Sequence, residues 1–143
     1  MLEIIIPERE VLTLEHLVLD LNGTLACDGV LLPGVGERIA RLRKVLQIHL
    51  LTANTHGGGD EIARVLEIEF NLLGPGAGGP QKDAFVQALG PERVAAIGNG
   101  VNDAAMLKRC ALGIAVGGCE GTAIGALLAA DVYTPNILDA LDL

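Results

Sequence analysis

Short aliphatic runs that take turns with helix-patterned segments constrain the fold of this chain more than any other feature. HLVLD at 16–20, QIHLL at 47–51, a shorter run near 68–73, RVAAIG at 93–98 and LGIAV at 112–116 have the length and composition of buried strands. Between them, Gly34 to Val45, DEIARVLEI at 60–68, QKDAFVQALG at 81–90, NDAAMLKRC at 102–110 and GTAIGALLAA at 121–130 carry helical spacing. EIIIP and VLTL precede the series, and DVYT and PNILDALDL close it. Strands that are apolar throughout must be covered on both faces, which implies a parallel sheet between two helical layers. Right-handed crossovers then make it doubly wound. The expectation is one Rossmann-like α/β domain over residues 1–143, with the GPGAGGP loop at 74–80 as a flexible connector.

Composition narrows the class. Half of the 143 residues are hydrophobic, but only Phe70, Phe85 and Tyr133 are aromatic, so the core must be built from Leu, Ile, Val and Ala. A formal charge of −8, with no basic run longer than RLRK at 41–44, argues against nucleic acid or an anionic membrane surface as partner. MLEIIIPERE lacks the basic start of a secretory signal. The apolar stretch at 110–130 is broken by Gly113, Gly117, Gly118, Gly121 and Glu120, which suits a strand, a turn and a helix better than a membrane span. Three cysteines without metal-type spacing read as reduced and the chain as cytoplasmic. Cys110 and Cys119 are expected as small buried apolar residues, and Cys27 lies close in sequence to the Asp20 turn.

The polar residues that punctuate these runs point to one sheet edge. Asp20 ends the first buried strand and runs into Asn22, Gly23 and Thr24, while Thr52 ends the second. Asn99 follows RVAAIG, Asp103 opens the next helix, and Lys82 opens the helix after the Gly/Pro loop. Carboxyl ends of strands are where doubly wound sheets bind ligands. Two carboxylates suit Mg²⁺, which prefers oxygen and keeps several waters. A hydroxyl and an ammonium suit phosphate oxygens, and Asp20 is placed to act as a nucleophile. His56 is expected in a solvated loop, and His16 and His49 fall within strand patterns and serve structure.

DLNGT at 20–24, LLTANT at 50–55, Lys82 and GNGVNDAAML at 98–107 resemble, in order, the four motifs of the haloacid dehalogenase superfamily. GNGVNDAAML is similar to the hinge motif of P-type ATPases, usually GDGVNDAPAL, and the whole chain resembles soluble P-type ATPase-like phosphatases. The resemblance implies a Mg²⁺-dependent phosphohydrolase in which Asp20 becomes an aspartyl-phosphate. It implies that Gly23, Thr24, Thr52, Ala53 and Lys82 hold the phosphate, and that Asp20, the Asn22 carbonyl, Asn99 and Asp103 hold the metal.

Two positions depart from that pattern. Asn22 stands where the phosphatases carry an acid–base Asp, and Asn99 where many members carry a metal-binding Asp. A carboxamide transfers no proton, so slow hydrolysis of the phosphoenzyme is expected. The alternative is a catalytically degenerate module that binds phosphate or a protein partner. A receiver-type domain is set aside, because the run near 68–73 ends in Asn71-Leu72-Leu73-Gly74 without its phosphorylatable Asp. Residues 21–51 and 53–81 are each consumed by a helix and a strand, leaving no room for a cap. An uncapped site needs a macromolecular substrate or a neighbouring subunit to exclude water, so a homo-oligomer acting on a phosphorylated substrate is expected.

Overall fold

The aliphatic runs assemble into a six-stranded, wholly parallel sheet in the order β10-β9-β8-β3-β6-β7. Its strands are β3 (His16–Leu19), β6 (Gln47–Thr52), β7 (Glu69–Leu72), β8 (Val94–Gly98), β9 (Leu112–Val116) and β10 (Val132–Thr134). Two small antiparallel pairs stand apart from it: β1 (Leu2–Ile4) with β2 (Leu12–Leu14), and β4 (Ala26–Cys27) with β5 (Val30–Leu31). The helices are α1 (Val35–Leu42), α2 (Gly59–Leu66), α3 (Gly78–Leu89), α4 (Ala104–Arg109), α5 (Ile124–Ala129) and α6 (Ile137–Asp142). This computed structural model describes residues 1–55 and 57–143, so His56 lies outside the described residues.

Strand alternation sorts the core into two layers. Leu17, Leu19, Ile48, Leu50, Ala95, Ile97, Leu112 and Ile114 face one side, where they pack with Val35 and Ile39 of α1, Ile62 and Leu66 of α2, and Ile137 and Leu141 of α6. Val18, Leu51, Val94, Ala96 and Ala115 face the other, against Val86 of α3, Met106 and Leu107 of α4, and Ala126 of α5. With almost no aromatics to fill space, close backbone approach does part of the packing. A Cβ on Gly113 of β9 would meet the Leu107 backbone of α4.

From β3 the chain winds outward through β6 and β7, then returns across β3 to β8 and winds the other way. The crossovers diverge between β3 and β8, leaving a crevice at the carboxyl ends of those two strands. Among the described residues, the spans 21–51 and 53–81 hold β4, β5, α1 and β6, and then α2, β7 and the start of α3.

The structure corrects some local expectations. Helix α3 begins at Gly78, inside the expected GPGAGGP connector, with Pro80 in its first turn where a missing N–H does no harm. Helix α1 ends at Leu42 rather than Val45, because residues 43–46 close into tight turns, with Lys44 N donating to Arg41 O. The chain from Cys27 to Val30 turns back as a hairpin that the apolar pattern did not announce.

Candidate active site

Asp20 leaves the end of β3 with its amide donating to Ile97 O of β8 at 3.1 Å. The following turn is knotted around one carbonyl. Leu21 O accepts from the amides of Thr24, Leu25 and Ala26, while buried Leu21 and Leu25 pin the turn to the core. Gly23 adopts φ +74, a backbone state that favours glycine. The sharp turn aims the Asp20 side chain, 11 % exposed, along the crevice.

Lys82 is the centre of the electrostatics. Only 1 % exposed, its ammonium donates to Asp20 Oδ1 at 2.8 Å and Asp103 Oδ1 at 2.6 Å. The other oxygen of Asp103 accepts from the amides of Asn99 at 3.0 Å and Gly100 at 2.9 Å. Asp103 lies so close over Gly98 that a Cβ there would stand 2.6 Å from its Oδ2, which explains the glycine. Thr24 Oγ1 lies 3.1 Å from Asp20 Oδ2 and 3.2 Å from Asn99 Oδ1. One hydroxyl proton serves two acceptors, so lone pairs of Asp20 and Asn99 converge with capacity to spare.

Two carboxylates share one ammonium, and the proton equilibria follow. Burial, aided by the Asp103 charge, pushes the Asp20 carboxyl up to about 6 despite opposition from Lys82 and Thr24. Burial works against the Lys82 charge, but Asp20 and Asp103 together overcome it, and its affinity for the proton is raised. In the cation-free protein Asp20 is therefore expected to titrate near 6, not near 4. Below that pH the carboxyl is protonated, so a nucleophilic or cation-holding role at this position would strengthen between about pH 5 and 7. A ¹³C NMR titration compared with Asp20→Asn checks this, and an Asp20 midpoint near 4 would contradict it.

Thr52 is buried at the end of β6, where its Oγ1 accepts from Asn54 N at 2.9 Å and its proton is left to donate outward. Ala53 is exposed immediately after it, and Asn22 is half-buried in the Asp20 turn. The crevice thus gathers Asp20, Thr24, Lys82, Asn99 and Asp103 through direct contacts, while Thr52 and Ala53 stand at the next strand end. Away from it, His16 and His49 pair across β3 and β6 at 3.2 Å, well before the carboxyl ends of those strands.

One cysteine expectation is overturned. Cys27 and Cys119 form a disulfide with Cα atoms 6.1 Å apart, and Cys119 is exposed rather than buried. An odd count and no motif spacing concealed a pairing across 92 residues, which only the fold brings about. The inference from reduced thiols to a cytoplasmic setting goes with it. Cys110 is buried as expected, and burial pushes its thiol up to about 12, leaving it inert. Closing so long a loop restricts the unfolded chain, so Cys27→Ser/Cys119→Ser should lose about 2–5 kcal/mol in urea unfolding. An unchanged midpoint would contradict that.

The disulfide carries a residue that the sequence did not flag. Glu120 follows Cys119, and a Cβ built on Gly23 would stand 2.6 Å from Glu120 Oε2. The loop is also held by Asn99 Nδ2, which donates to Gly121 O at 3.1 Å.

The donor set fits a hard divalent cation. Asp20 Oδ2 and Asn99 Oδ1 converge on the Thr24 hydroxyl, two oxygen donors on one side of the crevice. Among the described residues no three His, Cys, Asp or Glu side chains come to ligating distance of one another.

Known proteins resemble this chain in sequence or in fold. A family model of haloacid dehalogenase-like hydrolases matches residues 86–132. An uncharacterized protein of Methanocaldococcus jannaschii is 46 % identical over 52 residues, covering 36 % of this chain and 56 % of that protein. A chloroplastic copper-transporting ATPase of Arabidopsis thaliana is 27 % identical over 105 residues, covering 71 % of this chain and 11 % of the ATPase. The chain thus spans only about half of the first relative and a small part of the second. Among solved structures, a putative haloacid dehalogenase family hydrolase of Streptomyces avermitilis superposes with TM-score 0.69 at 26 % identity, covering 85 % of this chain and 76 % of that one. The 3-deoxy-D-manno-octulosonate 8-phosphate phosphatase of Moraxella catarrhalis, solved with magnesium, phosphate and KDO, superposes at 0.68 with 18 % identity, covering 90 % and 84 %. No helix among the described residues is long and apolar enough to cross a membrane.

Proposed function

Because this chain belongs to the haloacid dehalogenase superfamily, we propose that it is a Mg²⁺-dependent phosphohydrolase that works through a phosphorylated Asp20. The observation that carries the reading is the buried Asp20–Lys82–Asp103 triad at the switch point of the sheet. Asp20 attacks phosphorus, the bond to the leaving oxygen breaks, and an acyl phosphate forms on the carboxylate. Lys82 neutralises charge on the transferred group, and the Thr52 hydroxyl donates to one of its oxygens. Asp103 holds Lys82 and the turn at 98–100 in place. Mg²⁺, held by Asp20, the Asn22 carbonyl and Asn99 with Asp103 behind, would offset phosphate charge when bound. The magnesium and phosphate bound by the Moraxella phosphatase support that role.

Asn22 sets the character of the reaction. It offers no proton to the leaving group and removes none from water, so activated esters should react first and the phosphoenzyme should persist. Asn22 and Asn99 also favour a second reading, a degenerate module that binds phosphate or a protein without turnover.

A time course with p-nitrophenyl phosphate, Mg²⁺ and an Asp20→Asn control separates the two. Nitrophenolate leaves with little help from an acid, so release that is absent in the control and abolished by EDTA supports the enzyme. Equal release from both chains would overturn it. Among the described residues none forms a cap over the crevice, and a neighbouring subunit would exclude water from it. We infer a homo-oligomer for that reason, and a monomer in light scattering would contradict it.

A further inference from the structure

The charge balance at the crevice leaves a cation short of partners. Asp20 and Asp103 face one ammonium, Lys82, and Asn99 contributes a dipole where a carboxylate would contribute a charge. Asp103 already directs one oxygen at Lys82 and the other at two amides. The loop after β9 brings a further carboxylate to the edge of this crevice.

Glu120 Oε2 stands 2.6 Å from where a Gly23 Cβ would be, hence within about 4 Å of the Gly23 Cα. Gly118 packs on Gly23 O, where its own Cβ would come within 2.8 Å. Gly121 N donates to Gly118 O at 3.0 Å, and Asn99 Nδ2 ties Gly121 O to the crevice. Cys119 is bonded to Cys27 just beyond the nucleophile turn. Glu120 is thus fastened over the Asp20 turn on both sides, although its carboxylate itself is exposed. Among the described residues it forms no three-carboxylate group with Asp20 and Asp103, so its reach to a cation held there would run through water. Mg²⁺ keeps several waters, and groups that bind those waters tune its affinity.

We propose that Glu120, held over the Gly23 turn by the Cys27–Cys119 disulfide, supplies through bound water the negative charge that Asn99 lacks for holding a divalent cation. The inference rests on the reading of Asp20 and Asn99 as the cation-binding oxygens. Its consequence is that cation affinity depends on the oxidation state of a cysteine pair outside the ligand set.

Mg²⁺ binding by titration calorimetry tests it without reference to activity. Glu120→Gln should weaken binding about 10–100-fold, the usual loss when an outer-sphere partner is removed. Asn99→Asp in that background should restore it. Cys27→Ser/Cys119→Ser should weaken binding in the same direction, and Glu120→Gln added to it should cause little further loss, because both act through one loop. Glu120→Gln alters an exposed side chain, so its result stands even if the serine variant fails to fold. Wild-type affinity in Glu120→Gln would overturn this inference alone, and fully additive losses would overturn the role of the disulfide. A wild-type chain that takes up no Mg²⁺ would overturn the metal-dependent function as well.

Discussion

Asn22→Asp is expected to raise the rate of phosphoenzyme hydrolysis by about 10²–10⁴-fold, the usual value of a positioned acid–base group. The substitution is nearly isosteric and falls at a half-buried position whose surroundings are already braced. Leu21 O holds three amides of the turn, and Leu21 and Leu25 anchor it in the core. The new carboxylate would protonate a departing alkoxide and later take a proton from the attacking water. Alkyl phosphates should gain more than p-nitrophenyl phosphate in the first step, because only their leaving groups need the proton. Steady-state turnover of both substrates by the two chains checks this. A variant that binds Mg²⁺ and phosphate yet turns over no faster than the parent would favour the non-catalytic module.

Lys82→Met should destabilise the fold by about 3–5 kcal/mol and abolish phosphorylation of Asp20. Met refills much of the volume of the lysine stem, so the loss is electrostatic rather than a cavity effect. Asp103 is fully buried and Asp20 nearly so, and without the ammonium at 2.6 and 2.8 Å they face each other uncompensated. Adding Asp103→Asn should recover part of the stability but none of the phosphorylation, since in the proposed reaction Lys82 is also the charge that meets the phosphate. Urea unfolding of the three chains measures the first effect. A single variant as stable as the parent would mean that the triad carries no net charge coupling.

The reach of the sequence depended on what each feature required of its neighbours. The sheet was legible because strands buried on both faces, such as Val94–Gly98 and Leu112–Val116, need unbroken aliphatic runs and little else. The crevice residues were legible because three of the strands stop at a polar side chain, Asp20 after Leu19, Asn99 after Gly98, and Thr52 closing β6. Lys82 looked like one more lysine near a helix start, and only its burial between two carboxylates distinguishes it. The start of α3 was hidden because Gly78, Gly79 and Pro80 read locally as a loop, although Pro is compatible with a first helical turn. The Cys27–Cys119 bond and the approach of Glu120 to Gly23 depend on β9 lying beside β8. No local pattern encodes that adjacency.

The central claim is that Asp20 itself takes the phosphoryl group. Acid quenching of the wild-type chain after exposure to p-nitrophenyl phosphate and Mg²⁺, followed by peptide mass spectrometry, tests it most directly. The account predicts one added phosphoryl group on the peptide containing Asp20, reaching nearly one per chain because Asn22 slows its loss. Asn22→Asp should show much less at steady state, and Asp20→Asn none. Nitrophenolate released in many turnovers, with no phosphoryl group trapped on Asp20 at any quench time, would contradict it.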